Sequence, residues 1–169
     1  SYTHEYDLNF QEPGVLAFYH PHLHGLAAEQ VWAGLAGALV VEDADAVLAP
    51  YETHLLVLKD VGLSGSAPAP HAPPMDYMVG KEGNIVTVNG LLNPQLAMKA
   101  GQVQRWRILN ASGARFYRLA LPDHIFHVIG TDGGLLDKPY PQSELILSPG
   151  ERVDVLVEAN ADFSSYKLR

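Results

Sequence analysis

The 169-residue chain contains no cysteine. Disulfides are therefore excluded, as is any catalytic or metal-binding role that requires a thiolate. The compartment stays open on this ground, because exported proteins also do without cysteine. Long hydrophobic runs are missing too: the longest apolar stretch, Leu35 to Val41, falls far short of the ~20 residues that span a bilayer. A membrane partner is not expected. Cations are scarce, with 11 Lys and Arg against 19 Asp and Glu and a formal net charge of -8. Nucleic acid is not expected either, since phosphate binding needs clustered positive charge. The densest basic residues, Arg105, Arg107, Arg115 and Arg118, fall in alternating segments and read as solvated or ion-paired faces. No phosphate-loop pattern, Ser-His-Asp order or paired-carboxylate motif stands out.

What is present is a period of two. Tyr2, His4, Tyr6, Leu8 and Phe10 alternate with Thr3, Glu5, Asp7 and Asn9, predicting a strand from the first residue with His4 as a structural histidine on its apolar face. Glu12-Pro13-Gly14 turns the chain into a strand over Val15 to Tyr19. A short helix is expected over Ala27 to Ala33 and a buried strand over Ala36 to Glu42. After Pro50, strands are expected at Thr53 to Asp60, Ile85 to Val88, Val103 to Leu109, Phe116 to Leu121, Ile125 to Gly130, Glu144 to Leu147 and Arg152 to Glu158. Gly62 to Pro74 has loop composition, with His71 exposed in it. Trp106 and Ile108 alternate with Arg105 and Arg107, as expected when one face meets a core and the other meets water. His124 and His127, three apart, fall on opposite faces and read as structural. Short strands separated by Gly or Pro turns point to a β-sandwich.

The densest chemistry lies in Phe18-Tyr19-His20-Pro21-His22-Leu23-His24-Gly25. Alternate residues of an extended segment project to one side, roughly 6.6 Å apart at about 3.3 Å per residue. Neighbouring imidazoles can thus reach one metal ion or two adjacent ones, and neutral imidazole suits copper, zinc, iron and nickel. Pro21 cannot donate to a sheet ladder, which places the motif at an edge, a bulge or a strand end. A lone His-x-His could equally be a polar strand end bonded to backbone or water. The third imidazole, the aromatic shoulder and the following Gly favour the metal reading.

These residues resemble the multicopper oxidases, the laccase-like family, at the second copper-binding segment of their first cupredoxin domain. The likeness continues through Ala28-Glu29-Gln30-Val31 and Gly34-Leu35-Ala36-Gly37-Ala38-Leu39-Val40-Val41-Glu42-Asp43. Thr87-Val88-Asn89-Gly90, Arg107-Ile108-Leu109-Asn110-Ala111-Ser112, Ala114-Arg115-Phe116-Tyr117-Arg118-Leu119 and Thr131-Asp132-Gly133-Gly134 look like the family's second domain in the expected order. The resemblance implies an all-β fold, a cupredoxin-like Greek-key β-sandwich with one partial and one nearly complete domain. Residues 1–50 would be the C-terminal part of the first cupredoxin domain, carrying the His-Pro-His-Leu-His motif, and residues 51–169 the second, truncated at its end. Only three strands and a short helix precede Pro50, and Ser165 to Arg169 read as an unfinished strand, so a fragment is expected.

By resemblance, His20 and His22 would each be a type 3 copper ligand, one on each copper of the pair, with the other ligands outside this chain. His24 would orient a ligating ring or fix its tautomer, or stand as a solvated rim histidine; Phe18 and Tyr19 would be packing residues. The family couples oxidation of phenolic, aromatic amine or metal-ion substrates to reduction of dioxygen to water, which implies dioxygen and a small reductant as partners of the parent enzyme. Its type 1 copper needs a cysteine, and the family's His-Trp-His-Gly motif is also missing here, so the chain alone is expected to show no turnover. Family members are commonly exported, implying a periplasmic or extracellular location with a leader upstream of Ser1. Unpaired strand edges are sticky, so the isolated chain is expected to stay with the rest of its parent or to form a homo-oligomer. The alternative is a non-catalytic cupredoxin scaffold or weak copper- or zinc-binding module. A third reading, a mononuclear enzyme using His20, His22 and His24 with a distant carboxylate, is opposed by the length of the match.

Overall fold

The computed structural model describes residues 3–43, 47–160 and 164–169. In chain order the elements are β1 (Leu16–Tyr19), α1 (Ala27–Trp32), β2 (Gly37–Val40), β3 (Glu52–Val61), β4 (Leu63–Ser64), β5 (Ala67–Pro68), α2 (Met75–Val79), β6 (Ile85–Val88), β7 (Val103–Asn110), β8 (Tyr117–Ala120), β9 (Phe126–Thr131), β10 (Gly134–Gln142), β11 (Glu144–Leu147) and β12 (Arg152–Glu158).

The main sheet has six strands in the order β10-β9-β12-β7-β3-β6. Its pairings are antiparallel except β3 with β7, which run parallel with Leu55 opposite Arg107. Alternation along β7 and β12 divides their side chains between two faces. Trp106, Ile108, Val153, Val155 and Val157 join Leu56, Leu58, Phe126 and Val128 on one face, where β8 and β11 cover them with Tyr117, Leu119, Leu145 and Leu147. This is the core of a β-sandwich, as the strand pattern predicts. The last residues extend its smaller sheet. Ala120 and Arg169 exchange backbone hydrogen bonds of 2.8 and 2.9 Å, while Tyr166 and Leu168 pack on the core.

The middle of the opposite face is covered. It carries the antiparallel pair β1–β2, in which Leu16 packs on Leu109 and Ala111, with Phe18 and Ala38 beside them. Arg105 and Arg107 are therefore buried: the expectation that this face meets water is corrected, and of the two readings, solvated or ion-paired, the ion-paired one holds. Arg105 Nε donates to both oxygens of Asp154 at 2.9 and 3.0 Å, and its Nη1 donates to Asp43 Oδ2 at 2.6 Å. Arg107 Nη2 donates to Gly14 O at 2.6 Å, its Nε lying 3.3 Å from Asp154 Oδ2 without hydrogen-bond geometry. Burial disfavours the charge on both guanidiniums. Two carboxylates overcome this for Arg105, whose pKa is raised, whereas the weaker attraction of Asp154 leaves that of Arg107 lowered. Arg152 completes the joint by donating from Nε to Leu16 O at 2.9 Å.

Four further expectations fail locally. β2 is not a buried strand, for Gly37, Ala38 and Leu39 are half-buried and Val40 is exposed. Residues 4–10 form no strand, and His4, Tyr6 and Phe10 are exposed; Tyr2 lies outside the described residues. The loop after β3 contains the hairpin β4–β5 and leads into α2. β10 follows the turn at Asp132-Gly133 despite Pro139 and Pro141, because an edge strand needs donors on one side only. Gly83 shows the tightest approach: a Cβ there would collide with the backbone of Val61, while its N–H donates to the fully buried Asp60 Oδ2 at 2.6 Å.

Candidate metal centre

β1 ends with Phe18 paired to Ala38 and Tyr19 to Gly37, and the chain then leaves its partner strand. His20 to Leu23 belong to no helix or strand, consistent with the missing donor at Pro21. Leu23 O then accepts the N–H groups of Leu26 and Ala27, both at 3.0 Å, and α1 begins. The rings of this segment stand in a row. Centroids are 4.9 Å apart for Phe18 and His20, 5.9 Å for His20 and His22, and 5.6 Å for His22 and His24. All three imidazoles are exposed.

His20 Nδ1 lies 2.9 Å from Pro21 O. A carbonyl only accepts, so Nδ1 carries the proton and Nε2 keeps the lone pair that a metal needs. The planes of His20 and His22 are 29° apart and stacked, so their nitrogens do not close on one point between them. Among the described residues, no three His, Cys, Asp or Glu side chains converge so as to hold a metal ion. The donor set nevertheless suits copper in kind, since imidazole is a preferred ligand for it. Accessible imidazoles with nitrogens to spare fit part of a copper site, and other ligands must complete it.

The remaining histidines lie elsewhere. His124 Nδ1 is 2.6 Å from Pro122 O and its ring meets Tyr166 edge-on at 4.5 Å, while His127 is exposed on β9. His54 Nε2 sits 3.2 Å from Glu52 Oε1. His71, expected to be merely exposed, is half-buried and stacks on Tyr77 at 5.2 Å.

Sequence reasoning did not find what holds α1, the helix that follows the imidazole row. Lys59 Nζ donates to Val31 O at 2.7 Å in the last turn, and burial lowers its pKa against the attraction of Asp60. Trp32 Nε1 donates to Ala69 O at 2.8 Å, and Lys81 Nζ sits 5.2 Å from the Trp32 ring centroid. Tyr77 OH donates to Glu29 Oε1. A lysine within the apolar β3 was the one visible signal.

The sequence pattern of the multicopper oxidase family matches residues 51–169. Among solved structures, a multicopper oxidase from Campylobacter jejuni, described as a metallo-oxidase, is 37% identical with a TM-score of 0.82, covering 92% of this chain and 32% of that one. The laccase-like multicopper oxidase CueO from Ochrobactrum sp. is 35% identical with a TM-score of 0.82, over 94% of this chain and 37% of that one. The cell division protein FtsP of Xenorhabdus nematophila is 39% identical over 154 residues, 87% of this chain and 32% of that protein. The chain thus spans about a third of the length of the relatives it matches. By its sequence pattern and by its cupredoxin-like sandwich, the chain belongs to the multicopper oxidase family.

Proposed function

We propose that the chain is the part of a copper-dependent oxidase that contributes His20 and His22 to a type 3 copper pair, one imidazole to each ion. Residues 1–50 then belong to the first cupredoxin domain and residues 51–169 to the second. The observation that carries this reading is the exposed row of imidazoles beyond β1, with His20 Nε2 free and, among the described residues, no neighbouring group making the row a complete site by itself. Copper bound there would supply the electron-accepting chemistry that joins oxidation of a phenolic, aromatic amine or metal-ion reductant to reduction of dioxygen to water. The chain's own residues bind and orient. The row supplies imidazole nitrogens, Pro21 O holds the His20 tautomer, and the Leu23 turn fixes where the segment ends. An exported location, no nucleic-acid or membrane partner, and association with the rest of the parent or with a second copy go with this reading.

Copper titration of the parent protein tests it, with dioxygen consumption followed in the presence of a phenol. Replacing His20 and His22 with Ala should remove about two ions of bound copper and the consumption; full copper loading in the double variant would overturn the assignment. The chain alone should consume no dioxygen under the same conditions. The 39% identity to a protein named for cell division favours a second reading, a cupredoxin scaffold without turnover. Copper-loaded parent that leaves dioxygen untouched with phenolic, aromatic amine and metal-ion reductants would select it.

A further inference from the structure

We propose that Lys59, Tyr77 and Lys81 are positioning residues for the imidazole row, acting on it through α1. The proposal rests on the reading of His20 and His22 as copper ligands and adds what aims His22, the ligand nearer the helix. α1 has six residues, no side-chain cap and no basic residue of its own in the last turn. A helix this short does not hold itself together in water.

Its anchors come from β3 and the segment after it. The Lys59 ammonium takes the Val31 carbonyl, placing a positive charge where the helix ends and its dipole is negative. Tyr77 grips Glu29 from α2, and Lys81 stands over Trp32 while forming a 2.8 Å ion pair with Asp76. At its other end α1 is bonded to Leu23 O, the carbonyl between His22 and His24. A rotation or shift of α1 therefore moves the peptides that carry these two rings. The three side chains lie 35 or more positions along the chain from His24, yet they fix the far end of the lever on which it sits.

The experiment is a copper(II) titration of the 169-residue chain, read by electron paramagnetic resonance. It compares the wild type with Lys59→Met, Lys59→Arg, Tyr77→Phe, Lys81→Met and the His20→Ala/His22→Ala double variant. Lys59→Met, Tyr77→Phe and Lys81→Met should each weaken copper binding by about tenfold and alter the nitrogen hyperfine pattern, and Lys59→Arg should restore both. Affinity within twofold of wild type and an unchanged spectrum in all three would overturn the proposal. Tyr77 is half exposed, so Tyr77→Phe carries the test if Lys59→Met does not fold. If the double histidine variant binds copper like wild type, the ligand reading fails on its own account. Amide hydrogen exchange over residues 22–26 then decides the positioning claim: faster exchange in Tyr77→Phe supports it, and unchanged exchange refutes it.

Discussion

Replacing Asp154 with Ala should destabilise the chain by about 3 kcal/mol, and the argument comes from what the carboxylate leaves behind. Asp154, Arg105 and Arg107 expose only 6%, 5% and 3% of their side chains. Removing one member of a buried ion pair costs about 3 to 5 kcal/mol, because the other charge stays out of water without compensation. Arg105 keeps Asp43, which argues for the lower end of that range; Arg107 keeps Gly14 O and a weaker attraction to Asp43. In a chain of this size each kcal/mol moves the thermal midpoint by about 2 to 4 °C, so the drop should be roughly 6 to 12 °C. Urea unfolding followed by fluorescence gives the free energy, with Trp106 in the main core and Trp32 on α1 as the two reporters. Arg118→Ala, which breaks an exposed pair with Glu144, serves as the control and should leave the midpoint in place. A cost for Asp154→Ala no larger than that control would refute the claim that this joint holds β1–β2 on the sheet by buried charge.

Two further outcomes follow from single contacts. The Lys81 hydrogen bond, aided by the Ala72 N–H, holds the Asp76 carboxyl below the usual carboxylate range. Its contribution to stability is therefore present above the unfolded value of about 3.9 and is lost as pH falls through the lower folded value. The difference in thermal midpoint between wild type and Asp76→Asn should shrink on acidification to about pH 2; a constant difference would contradict the assignment. Gly83→Ala should cost at least about 2 kcal/mol by forcing the Val61 backbone aside, whereas Gly133→Ala faces open space and should be silent in the same unfolding assay.

The strands of the main core were legible because alternation survives wherever one face is apolar. Ile85–Val88, Glu144–Leu147 and Arg152–Glu158 fall where the pattern puts them. The pattern does not say what lies on the other face. Arg105 and Arg107 look identical in sequence whether they meet water or a second layer with carboxylates, and only the docking of β1–β2 decides. Residues 4–10 alternate as cleanly as a strand, yet Tyr6 and Phe10 find no sheet to join. β10 was hidden by Pro139 and Pro141, which an edge tolerates. The imidazole row announced itself through the spacing of His20, His22 and His24. Its supports did not, since Lys59, Tyr77 and Lys81 reach α1 only after β3 has docked.

The bond from Arg152 to Leu16 O joins residues 136 positions apart. Because a ribosome makes the chain from its amino end, β1 and β2 are made long before the strand that donates this bond. At about 5 to 20 residues per second, the wait from residue 40 to residue 152 lasts roughly 6 to 22 s. Throughout that interval Leu16 O lacks its Arg152 donor, although Leu109 and Ala111, on which Leu16 packs, are made earlier. The charged joint between hairpin and sheet therefore closes only once Arg152 and Asp154 have both been made, after the apolar contact is already in place.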